Sequence, residues 1–239
     1  STIAASPGTV SADGVATTTI TITAKDAFSN GIPGIAAVSI VAAITGADNT
    51  VVPPATPTDA SGRTMGTLAS TKAETKIVSA TVNSVAVTET ASVIFLNLAP
   101  VLTDSNVALS AENEDAGPPT GAVGTPVSSL VDFATPTGQR DNVTDVNSAA
   151  LLGIAAVGAE TSNGKWHYST DGGVNWNALG SVSAANARFL AADAETRIYF
   201  EPNANFNGTI QNAQTFRAWD RASGSNGGTA DATVNGGST

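Results

Sequence analysis

Thr19-Ile20-Thr21-Ile22-Thr23 alternates apolar and hydroxyl β-branched residues at period two. That alternation puts one row of side chains on each face of an extended chain. It predicts a half-buried strand, with Ile20 and Ile22 on the dry face and the threonines on the wet one. The pattern returns in Val38-Ser39-Ile40, in Ile77 to Val82 and in Val85-Ala86-Val87. Between these runs lie the turn clusters Ser11-Ala12-Asp13-Gly14, Ser29-Asn30-Gly31-Ile32-Pro33-Gly34 and Asp59-Ala60-Ser61-Gly62. Short strands separated this way are the pattern of an antiparallel β-sandwich. Thr67 to Lys76 carries Ser and Thr where a helix needs its apolar stripe, so no helix is expected there. The fold class expected is all-β.

Composition agrees with that reading and divides the chain. Hydrophobic residues make up 41% but aromatics only 5% of the 239 residues, so the interior is expected to consist of small and β-branched side chains. The length suits two ordinary domains. A boundary is expected near Ala99-Pro100, after a strand over Ala91 to Leu98, giving modules at 1–99 and 100–239. The first carries four basic and six acidic groups, net −2, and the second six and fourteen, net −8. In the second module Asp171-Gly172, between Trp166-His167-Tyr168 and Trp176, predicts a tight hairpin turn. Further strands are expected at Leu151 to Val157, Ala187 to Leu190, Arg197 to Phe200 and Thr215 to Trp219, with a Gly-rich loop at Ser223 to Gly228.

A net charge of −10 with no run of basic residues argues against a nucleic-acid partner, because phosphate binding needs clustered Lys and Arg. Cysteine is absent, which removes disulfides, thiolate metal sites and thiol nucleophiles. No apolar stretch approaches the roughly 18 residues that span a bilayer, so no membrane insertion is expected. The Ser/Ala start and the Gly/Ser/Thr end read as those of a piece of a longer chain.

The excess acid is crowded into Glu112-Asn113-Glu114-Asp115, Asp132 and Asp141-Asn142-Val143-Thr144-Asp145-Val146-Asn147, with only Arg140 to compensate. Like charges this close repel in a compact fold, and a hard cation taking 6–8 oxygens relieves the repulsion. The candidate Ca²⁺ ligands are Glu112, Glu114, Asp115, Asp141, Asp145, Asn147 and Asp220, gathered from several segments. Asp141 to Asn147 is not an EF-hand loop, since Val143 stands where a third-position oxygen is required and no Gly follows. The competing reading for each acid is an Asx turn. That reading is preferred for Asp13, Asp26 and Asp59, and also for Asp171, Asp193 and Asp231.

Trp166, Tyr168, Trp176 and Trp219 are candidates for a sugar-stacking platform, but aromatics in small-residue strands more often fill a core, and the core is expected. His167, the only histidine, alternates with Trp166 and Tyr168 and is expected to face solvent. No Gly-x-Ser-x-Gly, His-Glu-x-x-His or phosphate-binding loop occurs, and Glu112, Glu114, Glu195 and Glu201 read better as ligands than as a glycosidase pair. The chain is not expected to be an enzyme.

Ser11 to Gly14, Thr18 to Ala27, Asn30 to Gly34, Thr58 to Gly62 and Leu68 to Glu74 together resemble the bacterial Ig-like (Big-1) repeats of invasin- and intimin-type adhesins, across most of residues 1–98. That family more often has Gly where this chain has Glu74. In the second module Asn113-Glu114-Asp115, Asn142 to Val146, Leu152 to Ala155, Tyr168 to Gly173, Phe200 to Thr209 and Phe216 to Asp220 together resemble the cadherin-like repeats of giant type I-secreted, RTX-type bacterial adhesins. The resemblances imply two tandem Ig-like and cadherin-like β-sandwiches on the bacterial cell surface, monomeric and joined to neighbouring repeats. They further imply a Ca²⁺-rigidified spacer in cell adhesion or biofilm formation. The alternative is a glycan- or protein-receptor-binding module near the adhesive tip.

Overall fold

The computed structural model describes residues 1–103, 107–131 and 143–234. The chain forms two compact units, Ser1–Leu98 with Val146–Ala149, and Ala99–Asp145 with Ala150–Thr239. Both are all-β.

The first unit contains β1 (Thr2–Ser6), β2 (Thr9–Ser11), β3 (Thr18–Thr23), β4 (Ile40–Ile44), β5 (Asn49–Val52), β6 (Arg63–Ser70), β7 (Thr75–Val82), β8 (Val85–Ala86) and β9 (Ala91–Leu96). One sheet has the order β1-β3-β6-β5, and the other β2-β9-β7-β4 with β8 beside β7. In β3 every second residue faces inward, so Ile20 and Ile22 are buried, with Ile22 fully so. They meet Leu68 from their own sheet and Val78, Val93 and Phe95 from the other. The chain changes sheets around a cis Ser6–Pro7 bond, after which β2 lies parallel to β9, pairing Thr9 with Ile94, Val10 with Phe95 and Ser11 with Leu96.

One expected strand is displaced. Ala37–Ser39 forms a 3₁₀ turn closed by the Ser39 N–H on the Ala36 carbonyl, 2.9 Å, and the strand begins only at Ile40. Val38 is 89% exposed, so the alternation there had no core behind it.

The expected turn at Asp59-Ala60-Ser61-Gly62 packs backbone against backbone. The Gly62 carbonyl accepts the Ala24 N–H at 2.8 Å, and the Ala24 carbonyl accepts the Ile32 N–H at 3.0 Å. Gly62 has φ +77°, and a Cβ there would lie 2.7 Å from Ile32 N. Gly62→Ala is therefore expected to destabilise the first unit by about 1–3 kcal/mol, the usual strain of a non-glycine residue held in this region. Urea unfolding followed by circular dichroism measures it, and an unchanged midpoint would refute the steric argument.

The second unit contains β10 (Val101–Leu102), β11 (Thr125–Pro126), the single helical turn α1 (Ser128–Val131), β12 (Val143–Thr144), β13 (Gly153–Ala159), β14 (Gly164–Ser169), β15 (Asn177–Ala178), β16 (Ala187–Ala191), β17 (Arg197–Pro202), β18 (Gln214–Trp219) and β19 (Thr229–Ala230). Its sheets are β11-β17-β14-β15, β18-β13-β16-β19 and the pair β10-β12. Gly153, Ile154, Ala155 and Ala156 of β13 are buried in succession, which shows that this sheet is covered on both faces. On one face Ile154, Leu190 and Ala218 join Trp166, Tyr168 and Ile198 in the main core. On the other, Phe189 and Trp219 stack at 4.9 Å among Ala155, Ala187 and Ala191. The Gly-rich loop after β18 lies on that second cluster: the Trp219 indole N–H donates to the Ser223 carbonyl at 2.8 Å, and the Gly227 N–H to the Phe189 carbonyl at 2.8 Å.

The Asp171-Gly172 hairpin differs from expectation. β14 and β15 do pair, His167 with Ala178 and Tyr168 with Asn177, but the connecting loop runs from 170 to 176. Asp171 closes it by accepting the Asn175 N–H at 2.9 Å and the Asn175 amide at 2.7 Å, so its carboxylate builds a wider Asx loop in place of a two-residue turn.

Candidate functional site

The acidic stretch and the outer face of the β11-β17-β14-β15 sheet come together in the second unit. Along β14 and β17, Trp166, Tyr168 and Ile198 face the core, while the cross-strand neighbours His167 and Tyr199 face the other way. The segment from Glu112 to Gly121 reaches that face. The Tyr199 hydroxyl donates to the Gly117 carbonyl at 3.0 Å and the Trp176 indole N–H to the Gly121 carbonyl at 3.2 Å, with the Trp176 and Tyr199 rings 5.9 Å apart. His167 Nε2 lies 2.7 Å from Glu201 Oε2, and each of these side chains is 17% exposed. His167 thus faces away from the core, as alternation requires, but it is largely covered instead of open to solvent.

Electrostatics match this enclosure. Burial pushes the Glu112 carboxyl above the ordinary carboxylate range. The Tyr199 phenol is raised first by burial and then by the negative charges of Glu112 and Glu201. The Tyr199 hydroxyl, the Trp176 indole and the His167–Glu201 pair are all engaged within the unit, so these contacts fasten the acidic segment to the sheet.

The candidate calcium ligands come from several segments of the chain. Glu114 and Asp115 are exposed, and Asp115 Oδ1 accepts the Asn205 N–H at 2.7 Å. Asp145 is half-buried. Asp220 is buried and caps its own turn, accepting the Ala222 N–H at 2.9 Å. Asn147 belongs to the first unit, where its amide is enclosed by main-chain groups. Asp141 lies outside the described residues. Among the described residues no three His, Cys, Asp or Glu side chains gather as a group that could hold a metal ion.

The residues expected to shape turns do so. Asp13 accepts the Val15 and Ala16 N–H groups, which hold its carboxyl below the ordinary range. Asp26, Asp59, Asp193 and Asp231 make the same local bonds. Trp166, Tyr168 and Trp219 are buried, so they form no stacking platform, and Trp176 is half-buried. Sequence reasoning missed the seat of Asn147 and the His167–Glu201 pair. Both depend on segments far apart in the chain, and only the presence of the two residue types was visible beforehand.

Comparison with known proteins adds a family signal for the first unit. Residues 1–98 match the family model described as invasin, domain 3. Among solved structures, the chain is similar to the adhesin InvE of Yersinia pseudotuberculosis at 13% identity, covering 88% of this chain and 64% of that one with a TM-score of 0.39. The Escherichia coli adhesin FdeC gives 16% identity, 83% and 63% coverage and 0.37. The D0-D1 domain of intimin gives 13% identity, 96% and 95% coverage and 0.36. The chain spans less than two thirds of the length of InvE and of FdeC. No curated protein sequence matches this chain. Among the described residues no helix is long and apolar enough to cross a membrane. The continuous stretch of the first unit is therefore similar to invasin domain 3, a bacterial Ig-like adhesin domain.

Proposed function

We propose that the chain is a pair of tandem β-sandwich modules from a bacterial surface adhesin, acting outside the cell as a spacer in adhesion. The observation that carries this reading is the match of residues 1–98 to invasin domain 3. The all-β build of the second unit is compatible with a further module of the same kind. Extension, not chemistry, is the role proposed.

Ca²⁺ is proposed as a stabiliser of the second unit on its charge alone, fourteen acidic against six basic groups over residues 100–239. The described carboxylates do not form a ligand cage, so the fit among them is poor. A cation bound only to the folded state adds about 2.7 kcal/mol at a free concentration 100-fold above its dissociation constant.

A single experiment tests both the spacer and the metal. The chain is tethered by its ends and stretched in millimolar CaCl₂ and then in EDTA. Two discrete unfolding steps are expected, one of them at higher force in calcium. Extension without steps removes the spacer reading, and two steps indifferent to chelation remove the metal while leaving the spacer in place.

A further inference from the structure

Val146–Ala149 is part of the first unit although 47 residues, 99–145, separate it from Leu98. Asn147 is 7% exposed. Its Oδ1 accepts the Leu98 N–H at 2.8 Å, and its Nδ2 donates to the Ala12 carbonyl at 2.9 Å and the Thr71 carbonyl at 3.3 Å. Ser148 continues the contact: its N–H donates to the Thr71 carbonyl at 2.9 Å and its hydroxyl to Asp48 Oδ2 at 2.5 Å.

The receiving groups follow β2 (Ala12), follow β9 (Leu98), and sit in the β6–β7 turn (Thr71) and the β4–β5 turn (Asp48). The last of these turns is itself fixed by Lys76 Nζ on the Ala47 carbonyl at 2.7 Å. One N–H and two carbonyls converging on a buried point call for a side chain that accepts once and donates twice. Only a primary amide does so, and Gln would be one methylene too long for the depth at which Asn147 sits. Asp would set its second oxygen against two carbonyl oxygens.

We propose that this end of the first unit is a binding socket for a short peptide carrying Asn followed by a hydroxyl residue, filled in this chain by its own Asn147-Ser148. The receiving groups lie within the 1–98 stretch that matches invasin domain 3, and the occupant comes from residues beyond it.

The test uses the full chain. In the double variant Asn147→Ala, Ser148→Ala, exchange of the Leu98 amide hydrogen is expected to accelerate about 10- to 100-fold, the range for losing one or two buried hydrogen bonds. Adding the blocked peptide acetyl-Asp-Val-Asn-Ser-Ala-amide should restore Leu98 protection, whereas the same peptide with Asp in place of Asn should not. Unchanged Leu98 exchange in the variant overturns the socket. Failure of the Asn peptide overturns binding in trans, and equal rescue by both peptides overturns the reading of the amide. All three tryptophans lie beyond residue 160, so their fluorescence reports separately whether the second unit stays folded. Should the double variant unfold the first unit, Ser148→Ala alone keeps the question open to measurement. It is expected to raise exchange at Ser148 and leave Leu98 protected, and loss of protection at Leu98 would contradict the separate roles assigned to the two side chains.

Discussion

Replacing Trp219 with alanine is expected to unfold the second unit at temperatures that leave the first intact. Trp219 is 1% exposed, stacks on Phe189 at 4.9 Å with 18° between ring planes, and holds the following loop through the Ser223 carbonyl. Truncation to alanine empties the centre of the smaller cluster, where the other members are Phe189 and alanines too small to close the gap. Large aromatic-to-alanine changes in a core cost about 3–5 kcal/mol. Against a total stability of roughly 5–15 kcal/mol, this is a large share. In differential scanning calorimetry the second unit's transition should fall by about 10 °C or more while the other stays in place. A drop of only a degree or two would mean that the cluster beyond β13 contributes little and that the main core carries the unit alone.

Lys76→Ala is expected to destabilise the first unit strongly. Lys76 is 0% exposed near the start of β7, yet its ammonium is satisfied by Glu74 Oε1 at 2.7 Å and the Ala47 carbonyl at 2.7 Å, and it lies 5.8 Å from the Phe95 ring centre. Removing one partner of a buried pair costs about 3–5 kcal/mol, and because Glu74 keeps some access to water the lower end applies. Lys76→Met, which keeps the stem against Phe95, should lose less.

The pair also sets a pH dependence. Lys76 is the main cause that holds the Glu74 carboxyl below its ordinary range. Its stabilising effect is therefore complete above the ordinary carboxylate pKa of about 4.3 and disappears as pH falls through the lower folded value. Glu74→Gln should weaken the unit at neutral pH and flatten its acid limb. Urea midpoints at neutral pH and near pH 3 measure this, and an equal loss at both would show that Glu74 acts by packing alone.

Much of the architecture was readable because strands announce themselves by alternation. Ile20 and Ile22 point inward as the five-residue run at 19–23 required, and β16, β17 and β18 fall within a residue or two of their expected bounds. Val38 misled because alternation reports a face only when a core lies behind it. The inward place of Lys76 was written into the register with Val78 and Ala80, but a lysine there reads as a solvated residue until its partners at 74 and 47 are known. The acidic run was harder still. By sequence Asn147 reads with the carboxylates because its neighbours are acids and its oxygen is of the right kind. What distinguishes it is the convergence of Ala12, Thr71 and Leu98 from elsewhere in the chain. In the same way, nothing near His167 signals its pairing with Glu201, which lies 34 positions later in the chain.

The parallel pairing of β2 with β9 bears on how the first unit responds to tension. These strands lie near opposite ends of a continuous stretch, and because they run the same way, a pull on its two ends drags one past the other along their length. The hydrogen bonds between them stand across that direction and so share the load, along with the flanking bonds from the Ile94 N–H to the Gly8 carbonyl and the Ala12 N–H to the Leu96 carbonyl, each 2.9 Å. An antiparallel hairpin pulled from its open ends would unzip rung by rung. Here the rungs must give way together, so resistance to shear comes from topology even though the ladder is short.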